Sequence, residues 1–155
     1  MQMCRDWHQT AALPIARDRK GRLTVLMVTS RDTGRWIVPK GWLMDDAKPW
    51  QAAEIEALEE AGAKGFVGRE GIGEYTYDKR LDDGSVLRCR VCVYPMRVEK
   101  LKRTWKERGE RKRRWFSPEA AARRVQEPEL AAMLRRLDRE ARNAESPLGR
   151  VLNAG

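Results

Sequence analysis

A single histidine, three cysteines and five phenylalanine or tyrosine residues are few for a chain of 155 residues. Each scarcity removes a class of protein. A structural zinc site takes about four Cys or His ligands. Here Cys89 and Cys92 form a CxxC with no second pair, and His8 stands alone. An odd cysteine count, with two on one expected strand, does not make a disulfide framework. Cys4, Cys89 and Cys92 are therefore expected to be ordinary thiols, and the expected compartment is a reducing cytoplasm. No apolar run approaches the ~20 residues of a membrane span. Met1 to Thr10 also lacks the apolar stretch of a secretory signal.

Apolar residues make up 41% of the chain, enough for a core, and the 35% that is charged falls short of a disordered composition. With no repeat and no linker, the expectation is one α/β domain over residues 1–155, with a frayed tail from about 146. The net charge of +9 is local. Lys100 to Arg114 holds nine basic residues against two acidic ones, so this stretch alone carries +7. Such a concentration calls for an anionic partner; the plainer alternative is a solvated loop.

Thr10–Arg17 and Leu23–Ser30 read as strands around the turn Arg19-Lys20-Gly21, and Trp36-Ile37-Val38 as a short third strand. Pro49 to Ala61 reads as a helix, with Pro in its first turn, an Ala/Glu/Leu interior and Gly62 as its stop. Tyr75 to Arg80, the turn Asp82-Asp83-Gly84 and Val86 to Tyr94 form a hairpin pattern. In its second strand Leu87, Cys89, Val91 and Val93 alternate with Arg88 and Arg90. Trp115-Phe116 makes a last strand. Ser117-Pro118 caps a helix, and a final helix spans about Pro128 to Asn143 with Leu130, Met133, Leu134, Leu137 and Ala141 inward.

The most informative feature is Glu56, Glu59 and Glu60. Spacings of i, i+3 and i+4 bring them to one helix face. Like charges there repel by ~0.2–0.5 kcal/mol per pair, and they sit at the C-terminal end, where the helix dipole opposes them. No Lys or Arg in the same helix offsets them. A solvated acidic face is one reading. The other is a site for hard divalent ions, which take carboxylate oxygens and leave room for water and phosphate.

The surroundings favour the second. Gly41 to Ala63 resembles the Nudix box: Gly41, then after fixed spacings Glu56, Ala57, Glu59, Glu60, Gly62 and Ala63. Two box positions differ, with Ala47 in place of a Glu and Ile55 in place of an Arg. Asp45 and Asp46 flank the first. Beyond the box, Ala11-Ala12 through Arg17, Ser30-Arg31, Arg35-Trp36-Ile37-Val38-Pro39, Trp105 and Arg111 to Phe116 are similar to the diphosphoinositol polyphosphate phosphohydrolase branch. That branch also cleaves dinucleoside polyphosphates.

The resemblance implies a Nudix-like α/β/α sandwich, a mixed β-sheet flanked by helices. It implies hydrolysis of a pyrophosphate bond in a phosphate-rich small molecule. Glu56, Glu59 and Glu60 would bind Mg²⁺ or Mn²⁺ and activate water, with Glu59 or Glu56 as the proton acceptor. Arg17, Arg31, Arg88 and Arg111 fall where the branch has phosphate-binding cations. Lys40 and Trp42 replace glycines of the animal members beside the site and join the substrate-binding set. Trp42 would wall the pocket or stack on a base. Three alternatives stand beside this reading. One is hydrolysis of nucleoside triphosphates or RNA 5′ ends, and another is a ligand-binding sensor permitted by Ala47 and Ile55. The third is nucleic-acid binding through Lys100–Arg114, disfavoured because no aromatic lies between Lys106 and Arg114. Oligomeric state is not encoded in any of these features.

Overall fold

A computed structural model describes residues 8–154. Its strands are β1 (Gln9–Arg17), β2 (Leu23–Thr29), β3 (Trp36–Ile37), β4 (Lys40–Trp42), β5 (Ala63–Val67), β6 (Gly73–Arg80), β7 (Val86–Leu101) and β8 (Arg113–Phe116). The helices are α1 (Pro49–Ala61), α2 (Pro118–Arg124), α3 (Pro128–Arg135), α4 (Leu137–Arg142) and α5 (Pro147–Asn153). Cys4 and most of the N-terminal segment read above lie outside the described residues.

All eight strands join one mixed sheet: β3-β2-β1-β7-β5 in order, with β4 also paired to β1, β6 to β7 and β8 to β2. β1 and β7 run parallel, with Thr10 opposite Cys92, and the other pairings are antiparallel. The two long strands carry the reason. Side chains alternate between faces, and along β1 both faces are apolar, so β1 must be covered on both sides. Ala11, Leu13 and Ile15 join one cluster with Val91, Val93 and the α2 and α3 residues Ala121, Leu130 and Leu134. Ala12 joins the opposite cluster with Cys92, Tyr94 and the α1 residues Ala53, Ala57 and Ala61. The result is the expected helix–sheet–helix layering.

Helix α1 is the element that builds the site. Its sheet-facing residues Ala52, Ala53, Ala57 and Ala61 are fully buried. Small side chains let the helix axis approach the sheet closely. A glutamate on the neighbouring stripe therefore reaches strand backbone. The helix begins with Pro49 and a hydrogen bond from Lys48 N–H to Gln51 Oε1 (2.8 Å). It ends where Gly62 adopts φ of 65°, a left-handed cap that favours glycine. The last carbonyls are met from the 102–112 loop and the start of β8: Trp105 Nε1 donates to Glu60 O (3.1 Å) and Arg113 Nη1 to Ala61 O (2.8 Å). The cation that the helix dipole lacks in its own sequence is thus supplied from outside.

The structure corrects several expectations. Trp36–Ile37 is followed by a separate strand, β4, paired with β1 through Gly41 and Thr10. β7 runs on to Leu101, so Lys100 is strand and the basic loop begins later. The final helix breaks at Arg136, whose N–H bonds back to Met133 O at 3.2 Å, a tighter turn that keeps Leu137 buried. Residues from 146 are not frayed: Ser146 Oγ accepts from Gly149 N–H (2.9 Å), and Leu148 and Val151 of α5 are buried. Cys89 is a buried free thiol as expected, whereas Cys92 is disulfide-bonded. No helix among the described residues is long and apolar enough to cross a membrane.

Candidate active site

Glu60 is the centre of the arrangement, with only 4% of its surface exposed. Its carboxylate accepts from Lys40 N–H at 3.3 Å and lies 3.6 Å from Arg111 Nη2. Burial pushes its pKa up to about 8; the nearby Arg111 pulls the other way, and the neighbouring Glu56 adds to the rise. Glu56 is raised for the same first reason, burial. Its hydrogen bond with Glu60 opposes the rise, and the charges of Glu59 and Glu107 add to it. Two carboxyls pressed together out of water cannot both ionise cheaply.

Gly41 makes that packing possible. A Cβ built there would sit 2.4 Å from the Glu56 carboxyl. Glycine is needed at this position for close approach, since its φ is not in the left-handed region. Glu59 is more accessible and pairs with Lys106 Nζ at 3.6 Å.

A fourth carboxylate went unnoticed in the sequence. Glu107 is buried, and its N–H donates to Glu59 O at 3.0 Å. Its Oε1 accepts from Arg111 Nε at 2.7 Å and lies 3.9 Å from Arg31 Nη1. Among nine bases it read as noise, yet the i, i+4 spacing of Glu107 and Arg111 was a usable signal.

The expected cations divide. Arg111 contacts Glu60, and it also donates to Glu107 and to Thr29 O at 3.0 Å. Arg31 reaches the same loop through Glu110 at 2.9 Å. Lys40 lies over the Tyr77 ring at 4.9 Å, and its pKa is pushed down to about 8 by burial, against the pull of Glu60. Trp42 is 45% exposed at the end of β4. Arg17 and Arg88 are not brought to the carboxylates. Arg17 donates to Gly21 O in the β1–β2 turn, at the opposite end of β1 from its pairing with β4. Arg88 pairs with Asp78 at 3.1 Å and donates to Thr76, both on the exposed face of the β6–β7 arm.

At the divergent box positions, Ile55 is exposed and Asp45 and Asp46 lie exposed in a turn. A guanidinium reaches the glutamates from Arg111 instead. The donor set suits a hard divalent ion, since it is all carboxylate oxygen, and Arg111 and Lys106 relieve its like charge only in part. As they stand, no three acidic, His or Cys side chains among the described residues converge into a ligand cluster.

Fold and site together define an α/β protein that buries helix-borne glutamates against a glycine strand, flanked by arginines and lysines. The NUDIX domain family pattern matches residues 7–137, and the chain belongs to that family. It is 34% identical over 119 residues to human "Diphosphoinositol polyphosphate phosphohydrolase 3-beta", covering 75% of this chain and 68% of that one. It is 32% identical over 107 residues to "Nudix hydrolase 12, mitochondrial" of Arabidopsis thaliana, covering 67% of this chain. The chain spans about half, 53%, of the plant protein's length. The structure of a C. elegans Ap4A hydrolase superposes with a TM-score of 0.61 at 17% identity, over 86% of this chain and 96% of that one, a likeness of fold.

Proposed function

We infer that the protein is a metal-dependent pyrophosphohydrolase acting on a polyphosphate-bearing small molecule, a dinucleoside polyphosphate or a diphosphoinositol polyphosphate. The observation that carries this is the Glu56–Glu60 pair, buried against Gly41 and the Lys40 backbone with Arg111 beside it. Buried like charges are costly unless a cation joins them. Glu56 and Glu60 would hold Mg²⁺ or Mn²⁺, with Glu59 able to join on leaving Lys106. Such a metal neutralises phosphate oxygens and acidifies bound water. We assign the proton-accepting role to Glu59, because Glu56 and Glu60 are already tied to each other and Glu59 is more accessible than the buried Glu60. Lys40 and Arg31 supply positive charge for the phosphate chain.

The test is a panel of diadenosine polyphosphates, diphosphoinositol polyphosphates, nucleoside triphosphates and 5′-triphosphate RNA, each with Mg²⁺, with Mn²⁺ and with chelator. Phosphate-containing products should appear with metal and stop with chelator. Absence of turnover on every compound would overturn the enzyme reading in favour of a ligand sensor.

A second expectation follows from Gly41. In Gly41→Ala the atoms nearest the new methyl belong to the flexible end of Glu56, so the fold should persist while Glu56 is displaced. Misplacement of a reacting group by ~1 Å costs on the order of 10²-fold in rate. kcat should fall by about that factor, with a near-normal thermal melt.

A further inference from the structure

Two of the site's glutamates stand where a helix is weakest. The last carbonyls of an α-helix have no partner within it, and its final turn tends to fray. Glu59 and Glu60 both lie in the last turn of α1, which ends at Ala61. Their mutual repulsion and the helix dipole both favour unwinding there. The cap residue Gly62 directs its own N–H back to Ala57 O and Leu58 O. The carbonyls of Glu59, Glu60 and Ala61 therefore need donors from outside the helix if the two carboxylates are to keep one geometry.

The segment after β7 supplies them, carbonyl by carbonyl. Glu107 N–H donates to Glu59 O (3.0 Å), Trp105 Nε1 to Glu60 O (3.1 Å), Arg113 Nη1 to Ala61 O (2.8 Å) and Lys102 N–H to Gly62 O (2.8 Å). Four consecutive carbonyls thus meet four donors from residues 102–113. The indole is the donor that falls on Glu60 itself. Its ring lies against Gly62, where a Cβ would come within 2.8 Å of two ring atoms, so glycine there serves the indole as well as the left-handed cap. The Arg113 guanidinium lies 3.9 Å from the ring centre, inside the ~6 Å reach of a cation–π contact. These contacts hold the ring without using its N–H. Glu60 is then gripped at two points, its carboxylate by Lys40 N–H at 3.3 Å and its carbonyl by the indole.

We propose that Trp105 is a positioning residue for the metal site: its indole N–H fixes the Glu60 carbonyl, and with it the direction in which Glu59 and Glu60 leave the helix. The proposal rests on the hydrolase reading for the identity of the bound ion. It gives the basic segment a second task beside attracting anions, that of an end cap for α1 supplied from elsewhere in the chain. Groups that orient metal ligands without touching the metal typically govern about 10–100-fold in metal affinity or activity. The indole has one donor, and it is spent on the helix. Trp105 therefore acts on metal holding and turnover and not on substrate affinity.

The test uses Mn²⁺ alone on the full chain, with the unbound ion followed by electron paramagnetic resonance. Trp105→Phe keeps a ring for Gly62 and Arg113 and removes the donor. It should bind Mn²⁺ about 10–100-fold more weakly than the native chain, with a metal-free thermal melt close to native. On a compound of the panel that is turned over, kcat should fall and KM should hold. Native Mn²⁺ affinity in Trp105→Phe overturns the proposal, whatever happens to the melt, because the indole is then only a structural cap. A raised KM with unchanged kcat overturns it too, since the ring would then belong to the substrate. Should the variant not fold, heteronuclear NMR of the native chain decides. The Trp105 indole N–H signal, assigned through its contact with Gly62, should resist solvent exchange and shift on adding Mg²⁺; a signal that exchanges freely, or that saturating Mg²⁺ leaves unmoved, overturns the proposal. A native chain that takes up no Mn²⁺ sinks the hydrolase reading itself, an outcome separate from any comparison with Trp105→Phe.

Discussion

Glu60→Gln is expected to reduce kcat by 10²–10³-fold, the order for removing one preorganised electrostatic group from a catalytic centre, while making the metal-free protein more stable at alkaline pH. The two effects have one origin. Glu60 has a folded-state pKa pushed to about 8, above its ordinary 4.5, first because it is buried. A carboxyl whose folded pKa is raised binds its proton more tightly in the native state. Its stabilising contribution is complete below about pH 4.5 and is lost as the pH rises through about 8. Glutamine keeps the shape, has no charge to bury and so escapes that loss. Melting temperatures of the chelator-treated protein should therefore fall between pH 5 and pH 8.5 in the native sequence, and fall less in the variant. Steady-state kinetics with Mg²⁺ should show the activity loss at every pH. A variant that turns over at the native rate would remove Glu60 from the metal site. One that loses activity and stability together would make it a merely structural residue.

How far the site could be read without coordinates depended on the range of each interaction. The α1 glutamates were legible because Pro49, Gly62 and the i, i+3, i+4 spacing are local signals. Strands β1 and β2 were legible from apolar and β-branched runs, β6 from the Asp-Gly hairpin turn, and the first half of β7 from alternation. β4 was not, because three residues containing a glycine carry no pattern, and its partner Gln9–Ala11 lies about 30 positions away. α5 was hidden for a similar reason. It is seven residues long and includes Gly149, where a side chain would meet Asn143 O at 1.9 Å. That Arg17 and Arg88 lie apart from the carboxylates was not legible, because a strand position tells neither which end of the sheet it reaches nor what lies across from it. The contact of Lys40 with the Tyr77 ring was not legible either, because it exists only after β4 and β6 have found opposite sides of β1 and β7.

Arg111 shows how a residue assigned to substrate changes meaning once its neighbours are known. The loop around it is rich in exposed bases, and charge alone would make Arg111→Ala a change in substrate affinity that grows with phosphate chain length. The geometry points to a different outcome. The Arg111 side chain is 8% exposed, beside Glu60 at 6% and Glu107 at 11%. Its Nε and Nη1 are committed to Glu107 and Thr29 O, and only Nη2 faces Glu60 without a tight hydrogen bond. Removing one member of a buried ion pair leaves the other charge uncompensated, which costs ~3–5 kcal/mol. Arg111→Ala should therefore destabilise the fold by about that amount in urea unfolding, and Glu107→Gln by less, since an amide still accepts from Nε. The double variant should be less destabilised than the sum of the two, because each leaves a partner that the other removes. Arg31→Ala, at a side chain 55% exposed, is the control that should leave stability nearly unchanged. If Arg111→Ala unfolds at the native urea concentration and raises KM alone, the buried network is not what holds the loop against α1, and Arg111 belongs to the substrate.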